Sequence, residues 1–406
     1  MKLIVLSPFV YYPGISHGGG ALCWGQLECL ARDHEIHFIS FVEPKNYEYE
    51  IALPHLNQTC SSVTTLPLKL NWLKVLYGKF LLLFKLQPID ATLCMTKDMR
   101  MALKELVCKV KPDVIFVQFP QMAQYVLLCE GIPSVIDVQD AFSVSAYRRF
   151  KSQSNWLKKG VSFLTWLAWI RYESKWYSKF SVVATLTEQD RIGLEVFFPG
   201  MAAITSPAAV NLPEHRWEGL GENSIAFIGS FLHRPNLEAL LFFIDEIFPA
   251  ILKRFPDIVF LVAGKGVPSE IQEHGYKSIR FLGMVSDAYE FVSSASLVVV
   301  PLKSGGGIKI KTLEALACGC PVVATSIGAE ETGAISGKHL MVADSAKSFS
   351  LAVIAILEDA KLAHQLGLNA RQLMQNRFSW DAKAASLQSL LEVAVQRSSK
   401  TTSEIL

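Results

Sequence analysis

Pro301-Leu302-Lys303-Ser304-Gly305-Gly306-Gly307-Ile308-Lys309-Ile310-Lys311-Thr312-Leu313-Glu314-Ala315-Leu316-Ala317-Cys318-Gly319-Cys320-Pro321-Val322-Val323-Ala324-Thr325 decides how the whole chain is read. The apolar run Leu297–Val300 reads as a strand that stops at Pro301. Three glycines then strip the loop of side chains, Lys309–Cys318 has a helical pattern, and Pro321–Ala324 is a strand again. A strand, a glycine loop, a helix and a second strand make one βαβ unit of a parallel sheet. Such a sheet binds ligands at the carboxyl ends of its strands, where backbone amides and the helix dipole favour an anion such as a diphosphate.

Lys309 and Lys311 support that reading. A cation in a first helical turn is disfavoured by ~0.3–1 kcal/mol, and a bound anion would reverse the sign. The plainer alternative is two solvated lysines, with Lys311 paired to Glu314 at i,i+3. Glu314 lies among Leu313, Ala315, Leu316 and Ala317. A carboxylate among such neighbours needs donors, which a ribose diol has; otherwise it sits on the solvent side of an amphipathic helix.

Working outward, the same alternation fills the chain. Leu3–Leu6 is a continuous apolar run, as in a strand buried on both faces. Gly14–Gly20 forms a glycine loop before the helical pattern Ala21–Ala31. Ile36–Phe41, Val114–Val117, Ser134–Asp137 and Ser181–Leu186 read as further strands, and Thr187 is placed to cap a helix. Proline and glycine then cluster from Phe198 to Gly221. Beyond them come the strands Ile225–Ile228, Ile258–Ala263 and Ile279–Leu282, a helix Asn236–Phe255, and a helix capped near Ser286. Helices Ala346–Glu358, Lys361–Asn376 and Trp380–Gln396 close the pattern. The predicted organisation is an α/β chain of two doubly wound domains facing a cleft: 1–200, a linker at 201–221, 222–378, and a last helix at 379–406 packing back on the first domain.

Composition agrees. The 406 residues are 50% hydrophobic and 19% charged, which excludes a disordered chain, and the net charge of +2 sets up no global field for nucleic acid. No RNA-binding motif, Walker A loop or complete G-x-G-x-x-G is found. Eight cysteines are scattered without metal spacing and read as buried, reduced thiols. Met1–Pro8 reads as a first strand rather than a secretory leader, and the cytoplasm is the expected compartment. Between Cys60 and Phe180 there are 17 Lys and Arg against 8 Asp and Glu. The Trp-rich basic stretches 69–85 and 151–180 read either as peripheral contacts with the inner face of an anionic membrane or as ordinary helices with buried aromatics.

The block from Gly305 to Thr325 resembles the donor-site signature of group 1 (family 4) retaining glycosyltransferases, in the branch with a triple-glycine loop. Ile228-Gly229-Ser230 with Pro235-Asn236, Ala263-Gly264-Lys265-Gly266, Leu282-Gly283-Met284-Val285 and Arg377-Phe378-Ser379-Trp380 resemble its other blocks. The resemblance implies the two-domain GT-B fold with Rossmann-like domains. It also implies transfer of a sugar from a UDP- or GDP-sugar co-substrate, as in a hexosyltransferase, to a glycan or lipid-linked acceptor. Retention of configuration, no cofactor, no metal and a place in surface polysaccharide or glycoconjugate synthesis follow from the same likeness.

By that likeness Glu314 binds the ribose, and Lys309 or Lys311 holds the diphosphate with amides near Gly306, Gly307 and Ile308. Met284 and Val285 lie along the base. Gly229, Ser230 and Gly264 let the phosphates approach, and Arg234 stands where a phosphate contact is otherwise absent. Gly18 and Gly19 match the first domain's glycine loop, with His17 beside it. Gly306 occupies the place of the first carboxylate of the family's Glu-x7-Glu. Gln139 or Asp140 occupies the place of an acceptor-side His; Asp140 could orient or deprotonate an acceptor hydroxyl, or cap the following helix. Two rival readings remain: a nucleotide-sugar epimerase on the same architecture, and a non-catalytic nucleotide-sugar-binding module.

Overall fold

A computed structural model describes residues 1–15, 18–43, 47–69, 71–153, 155–214, 216–220, 223–273, 277–305 and 307–403. The chain divides into two compact units, one of Met1–Ala208 with the segment from Lys383 onward, the other of Ala209–Ala382. Each is built on one wholly parallel sheet.

The first sheet contains β1 (Lys2–Ser7), β2 (Glu35–Val42), β3 (Ser62–Pro67), β4 (Val114–Gln118), β5 (Ser134–Asp137), β6 (Val182–Thr185) and β7 (Ala203–Thr205). Their spatial order is β3-β2-β1-β4-β5-β6-β7. The second contains β8 (Ser224–Ile228), β9 (Val259–Ala263), β10 (Ile279–Gly283), β11 (Leu297–Val300), β12 (Val322–Ala324) and β13 (Met341–Val342), in the order β10-β9-β8-β11-β12-β13. Each order reverses once, between β1 and β4 and between β8 and β11. These are the switch points where a doubly wound sheet opens a crevice at its carboxyl edge. The two Rossmann-like sheets of the sequence reading are therefore both present.

Burial explains which segments became central strands. Leu3, Ile4, Val5 and Leu6 are fully buried, as are β4, β5, β6 and β11, because helices cover both faces. Edge strands β3 and β13 are only half-buried. In the second unit the core is led by phenylalanines, with the Phe243 and Phe260 rings 4.5 Å apart and Phe248 and Phe349 beside them.

Several boundaries differ from the sequence reading. Residues 201–221 were read as linker but include β7, whose three residues are too few to show a period. The helix expected over Asn236–Phe255 runs instead as Arg234–Phe242, one wide turn at Phe243–Ile247, and Phe248–Arg254. Pro249 is the cause: it lacks an N–H and crowds the carbonyl four residues back, so the Phe248 amide bonds five residues back to Phe243. Asp287, rather than Ser286, caps the next helix by accepting from the amides of Tyr289 and Glu290 at 2.7 and 3.2 Å. Thr187 caps its helix as expected, accepting from Asp190 N–H at 3.0 Å. Seven of the eight free cysteines are buried, but Cys108 is exposed on a helix face. No described helix is long and apolar enough to cross a membrane.

Gly264 is the backbone position with least freedom. It holds φ +132°, and a Cβ there would run into the Gly229 carbonyl oxygen. Gly264→Ala is expected to destabilise the second unit by about 2–4 kcal/mol through strain and collision. Chemical denaturation would check it; a loss under about 0.5 kcal/mol would mean the two loops are not in contact.

Candidate active site

The second unit's switch point lies between β8 and β11, and two glycine loops meet there. After β8 come Gly229 and Ser230; after β11 come Gly305 and Gly307, with φ +119° and +66°. The helix Ile310–Cys318 starts from this loop, with Lys309 as its capping residue, and ends on left-handed Gly319. Lys309 offers no side-chain cap, and the amides of Ile308, Lys309, Ile310 and Lys311 find no acceptor among the described residues. Four unfilled donors at a positive dipole end are a place for an anion.

Lys311 reaches across the switch point. Its Nζ donates to Asn236 Oδ1 at 2.6 Å and lies 5.2 Å from the Phe227 ring centre. A side chain at Gly229 would collide with that ammonium, since its Cβ would lie 2.7 Å from Nζ. Asn236 is itself fixed, its Nδ2 donating to Ser230 O at 2.8 Å. Burial pushes Lys311 down to about 8, with Glu314 pulling it back up. One turn on, burial pushes the Glu314 carboxyl up to about 7, against Lys311 and with Asp287 adding to the rise. The Lys311–Glu314 ion pair considered from the sequence is not the contact formed; Lys311 turns to Asn236 instead.

Lys309 is placed differently. It is buried, and its Nζ bonds Gly307 O at 2.6 Å and Glu330 Oε2 at 3.0 Å. Of the two lysines, Lys309 is held by protein oxygens on the β12 side. The loop itself is pinned by Ser304 Oγ, which donates to Glu238 Oε2 at 3.2 Å, and by Lys303, 3.4 Å from both Glu246 and the Phe242 ring centre. Arg234 is exposed and pairs with Glu238 at 2.7 Å. Met284 is 74% exposed after β10 and Val285 is half-buried. Gly306 and His17 lie outside the described residues.

In the first unit, Gly18 and Gly19 form the first turn of the Gly18–Ala31 helix, after β1. Neutral amides fill the switch point between β1 and β4. Tyr11 OH donates to Gln118 Oε1 at 2.8 Å, and Gln118 Nε2 to Gln26 Oε1 at 3.2 Å. Gln139 Nε2 donates to Asp137 Oδ2 at 2.5 Å and to Gln26 Oε1 at 3.4 Å. Gln139 is thus turned inward, on a left-handed backbone at φ +59°. Asp140 follows, half-buried, and accepts both its bonds from Ser145 Oγ, at 2.7 and 2.9 Å. It does not cap the Phe142–Ser152 helix, whose capping residue is Ala141. Burial pushes Asp140 up, with Ser145 and Arg148 pulling it down. Beside it Glu173 is fully buried and pushed up to about 8.

Sequence reasoning missed Asn236 as a contact, Glu330, and the buried Lys383. Lys383 donates to Ser206 O and Oγ at 3.0 and 2.8 Å and faces Asp137 electrostatically. Their signal was weak: partners of Lys309 and Lys311 lie 21 and 75 residues away. Among the described residues no group of three His, Cys, Asp or Glu is placed to hold a metal ion.

Two doubly wound parallel sheets, each with one switch point, define the GT-B-like fold class. Residues 222–359 match the family model for glycosyl transferases group 1, so the second unit carries that domain and the chain is a glycosyltransferase. A phosphatidyl-myo-inositol mannosyltransferase of Mycolicibacterium smegmatis is 30% identical over 36% of this chain and 39% of its own length. An uncharacterized 44.6 kDa protein in the cps region of Klebsiella pneumoniae is 22% identical over 93% of this chain and 96% of its own. The Anabaena protein HepE, solved with UDP and glucose, superposes with TM-score 0.64 at 14% identity, covering 97% of this chain and 99% of its own.

Burying Lys311 and Glu314 carries an electrostatic cost that is largest when both groups are charged. With its pKa raised from 4.5 to about 7, Glu314 takes stability away as pH rises through that interval. With its pKa lowered from 10.5 to about 8, Lys311 takes stability away as pH falls from 10.5 to 8. Glu314→Gln is therefore expected to raise the ligand-free melting temperature at pH 7.5 by roughly 2–4 °C, and to change it little at pH 4.5. Melting curves at both pH values check this; a lower midpoint at pH 7.5 would show that the carboxylate is well satisfied.

Proposed function

We propose that the chain moves a sugar from a nucleotide-diphosphate sugar to a glycan or lipid-linked acceptor, with retention and without a metal ion. The observation that carries this reading is Lys311, drawn over Gly229 at the switch point beside amides that lack acceptors. A diphosphate placed there would meet one ammonium and several N–H donors. Glu314, a turn further, would accept from the ribose hydroxyls. Met284 and Val285 would flank the base. As the bond to the sugar breaks, negative charge grows on the departing diphosphate, and donors already in place stabilise it without reorganising.

Lys311 rather than Lys309 is assigned to the diphosphate, because Glu330 and Gly307 already hold Lys309. In the first unit Asp140 is the acceptor-side candidate for orienting or deprotonating a hydroxyl, and Gln139 positions it through the left-handed turn. UDP bound to HepE and the mannosyltransferase activity named for the mycobacterial relative support a UDP- or GDP-sugar donor. The cps-region relative supports work on surface polysaccharide, and the inositol lipid in the other relative's name supports a lipid-linked acceptor.

Calorimetry with UDP- and GDP-sugars, followed by acceptor-dependent release of the nucleotide diphosphate, tests the proposal. Conversion of the donor without acceptor would favour an epimerase, and binding without turnover a non-catalytic module. Lys311→Ala and Glu314→Ala are each expected to weaken donor binding roughly 10–100-fold, the worth of a charged hydrogen bond. Lys309→Met is expected instead to lower stability by about 1–3 kcal/mol, since it strips the Glu330 carboxylate of its ammonium. Equal affinity loss in both lysine variants would defeat the division of roles. Donor affinity should peak between pH 7 and 8, falling below about 7 as Glu314 takes a proton and above about 8 as Lys311 loses one.

A further inference from the structure

The helix Trp72–Lys85 in the first unit is apolar on both sides. Its inward stripe is ordinary: Gly78, Leu81 and Leu82 are buried, and Gly78 packs so closely on Ile89 that a Cβ would come within 3.2 Å of its methyl. Its outward stripe has the same helical spacing and carries Trp72, Leu76, Tyr77, Phe80, Leu83 and Phe84, all exposed, with Trp72 and Phe84 at 72%. The Phe80 and Phe84 rings lie 4.6 Å apart, tilted at 37°, on this outer face. A helix in water normally turns polar residues outward, and a contiguous apolar patch on a soluble surface marks an interaction site.

The second Trp-rich segment divides in two. In the helix Trp156–Tyr177, Trp169 and Tyr177 are buried, and Trp166 packs against Tyr147, Phe150 and Phe163, so these belong to the interior. Its first turns do not: Trp156 is 77% exposed, with Leu157, Lys158, Lys159 and Val161 also outward. Arg171 Nη1 donates to Lys85 O at 2.8 Å and ties the two helices together.

Charge identifies the partner. Residues 69–85 contain four lysines and no acidic residue; residues 151–180 contain six basic residues and one acid, Glu173, which is fully buried. We propose that the outward face of Trp72–Lys85, with the first turns of Trp156–Tyr177, docks on an anionic lipid bilayer. The apolar stripe enters the headgroup–acyl boundary, tryptophan and tyrosine sit at its level, and lysine stems lie along the apolar surface with their ammonium groups on lipid phosphates. A second copy of the chain fits this face poorly, because it would set lysine against lysine with no carboxylate between. The inference does not depend on the donor site.

Co-sedimentation with vesicles tests it. The full chain is expected to pellet with phosphatidylcholine vesicles containing phosphatidylglycerol, less so at high salt, and weakly with phosphatidylcholine alone. Leu76→Glu with Phe80→Glu should lower the partition at least about tenfold while leaving melting temperature and donor affinity unchanged. Lys158→Glu with Lys159→Glu, on exposed positions, should weaken binding to the anionic vesicles alone, and stands in if the first variant misfolds. No pelleting of the unaltered chain, or equal partition of both variants, overturns the proposal. So does concentration-dependent self-association that the Leu76→Glu/Phe80→Glu variant abolishes while vesicle binding is absent; that result assigns the face to a second copy.

Discussion

A partly buried ammonium group with an amide oxygen, and no carboxylate, as its hydrogen-bond partner among the described residues sets the terms for the second unit. Burying Lys311 costs enough solvation to pull its pKa down to about 8. A fold gains nothing from such an arrangement on its own. The neighbours nevertheless all make room for it. Gly229 has no side chain because Lys311 Nζ fills the place where one would be, and Asn236 is locked onto Ser230 so that its oxygen faces the ammonium. Gly264 is bare because the loop carrying Gly229 rests on it. The glycines and the Pro235-Asn236 pair, which in the sequence look like separate motif fragments, are one construction around one positive charge. An anion in front of Lys311 would offset that cost.

Lys309 and Lys311 show how two identical residues two positions apart take different work. Lys311 lies in the first turn of the helix, whereas Lys309 precedes it on a non-helical backbone at φ −93° and ψ 86°, so the two side chains leave in different directions. The strand that feeds this helix, β11, has β8 on one side and β12 on the other. One lysine therefore faces the loop after β12, where Glu330 neutralises it, and the other faces the loop after β8, where only neutral groups wait. Periodicity could not show which side carried a carboxylate, because the partners come from strands far away in sequence.

The same limit separates what was legible from what was not. Central strands such as Leu3–Leu6 and Leu297–Val300 were readable because burial on both faces demands an unbroken apolar run. Caps such as Thr187 were readable because one hydroxyl satisfies a nearby amide. β7 and β13 were not, since two or three residues at a sheet edge show no period. Pro249 was visible, but a proline inside a helical pattern is compatible with a break, a kink or a widened turn, and the surrounding phenylalanine core selects the last. The Trp72–Lys85 helix is the sharpest case. With apolar residues at every face, its pattern announces a helix without saying which side is inside; the small Gly78 against Ile89 settles that, and leaves the aromatic stripe in water.

The two switch points, each within its own sheet, share a strand order but differ in chemistry. The one between β8 and β11 carries the buried Lys311 ammonium and amides that find no acceptor among the described residues. The one between β1 and β4 is closed by Tyr11, Gln118, Gln26 and Gln139, whose hydrogen bonds run on to the buried Asp137 carboxyl. Past the left-handed turn at Gln139, Asp140 accepts from Ser145 Oγ and faces Arg148 electrostatically. Two sheets of the same strand order thus differ in lining: one carries a buried ammonium, the other a chain of amides and hydroxyls.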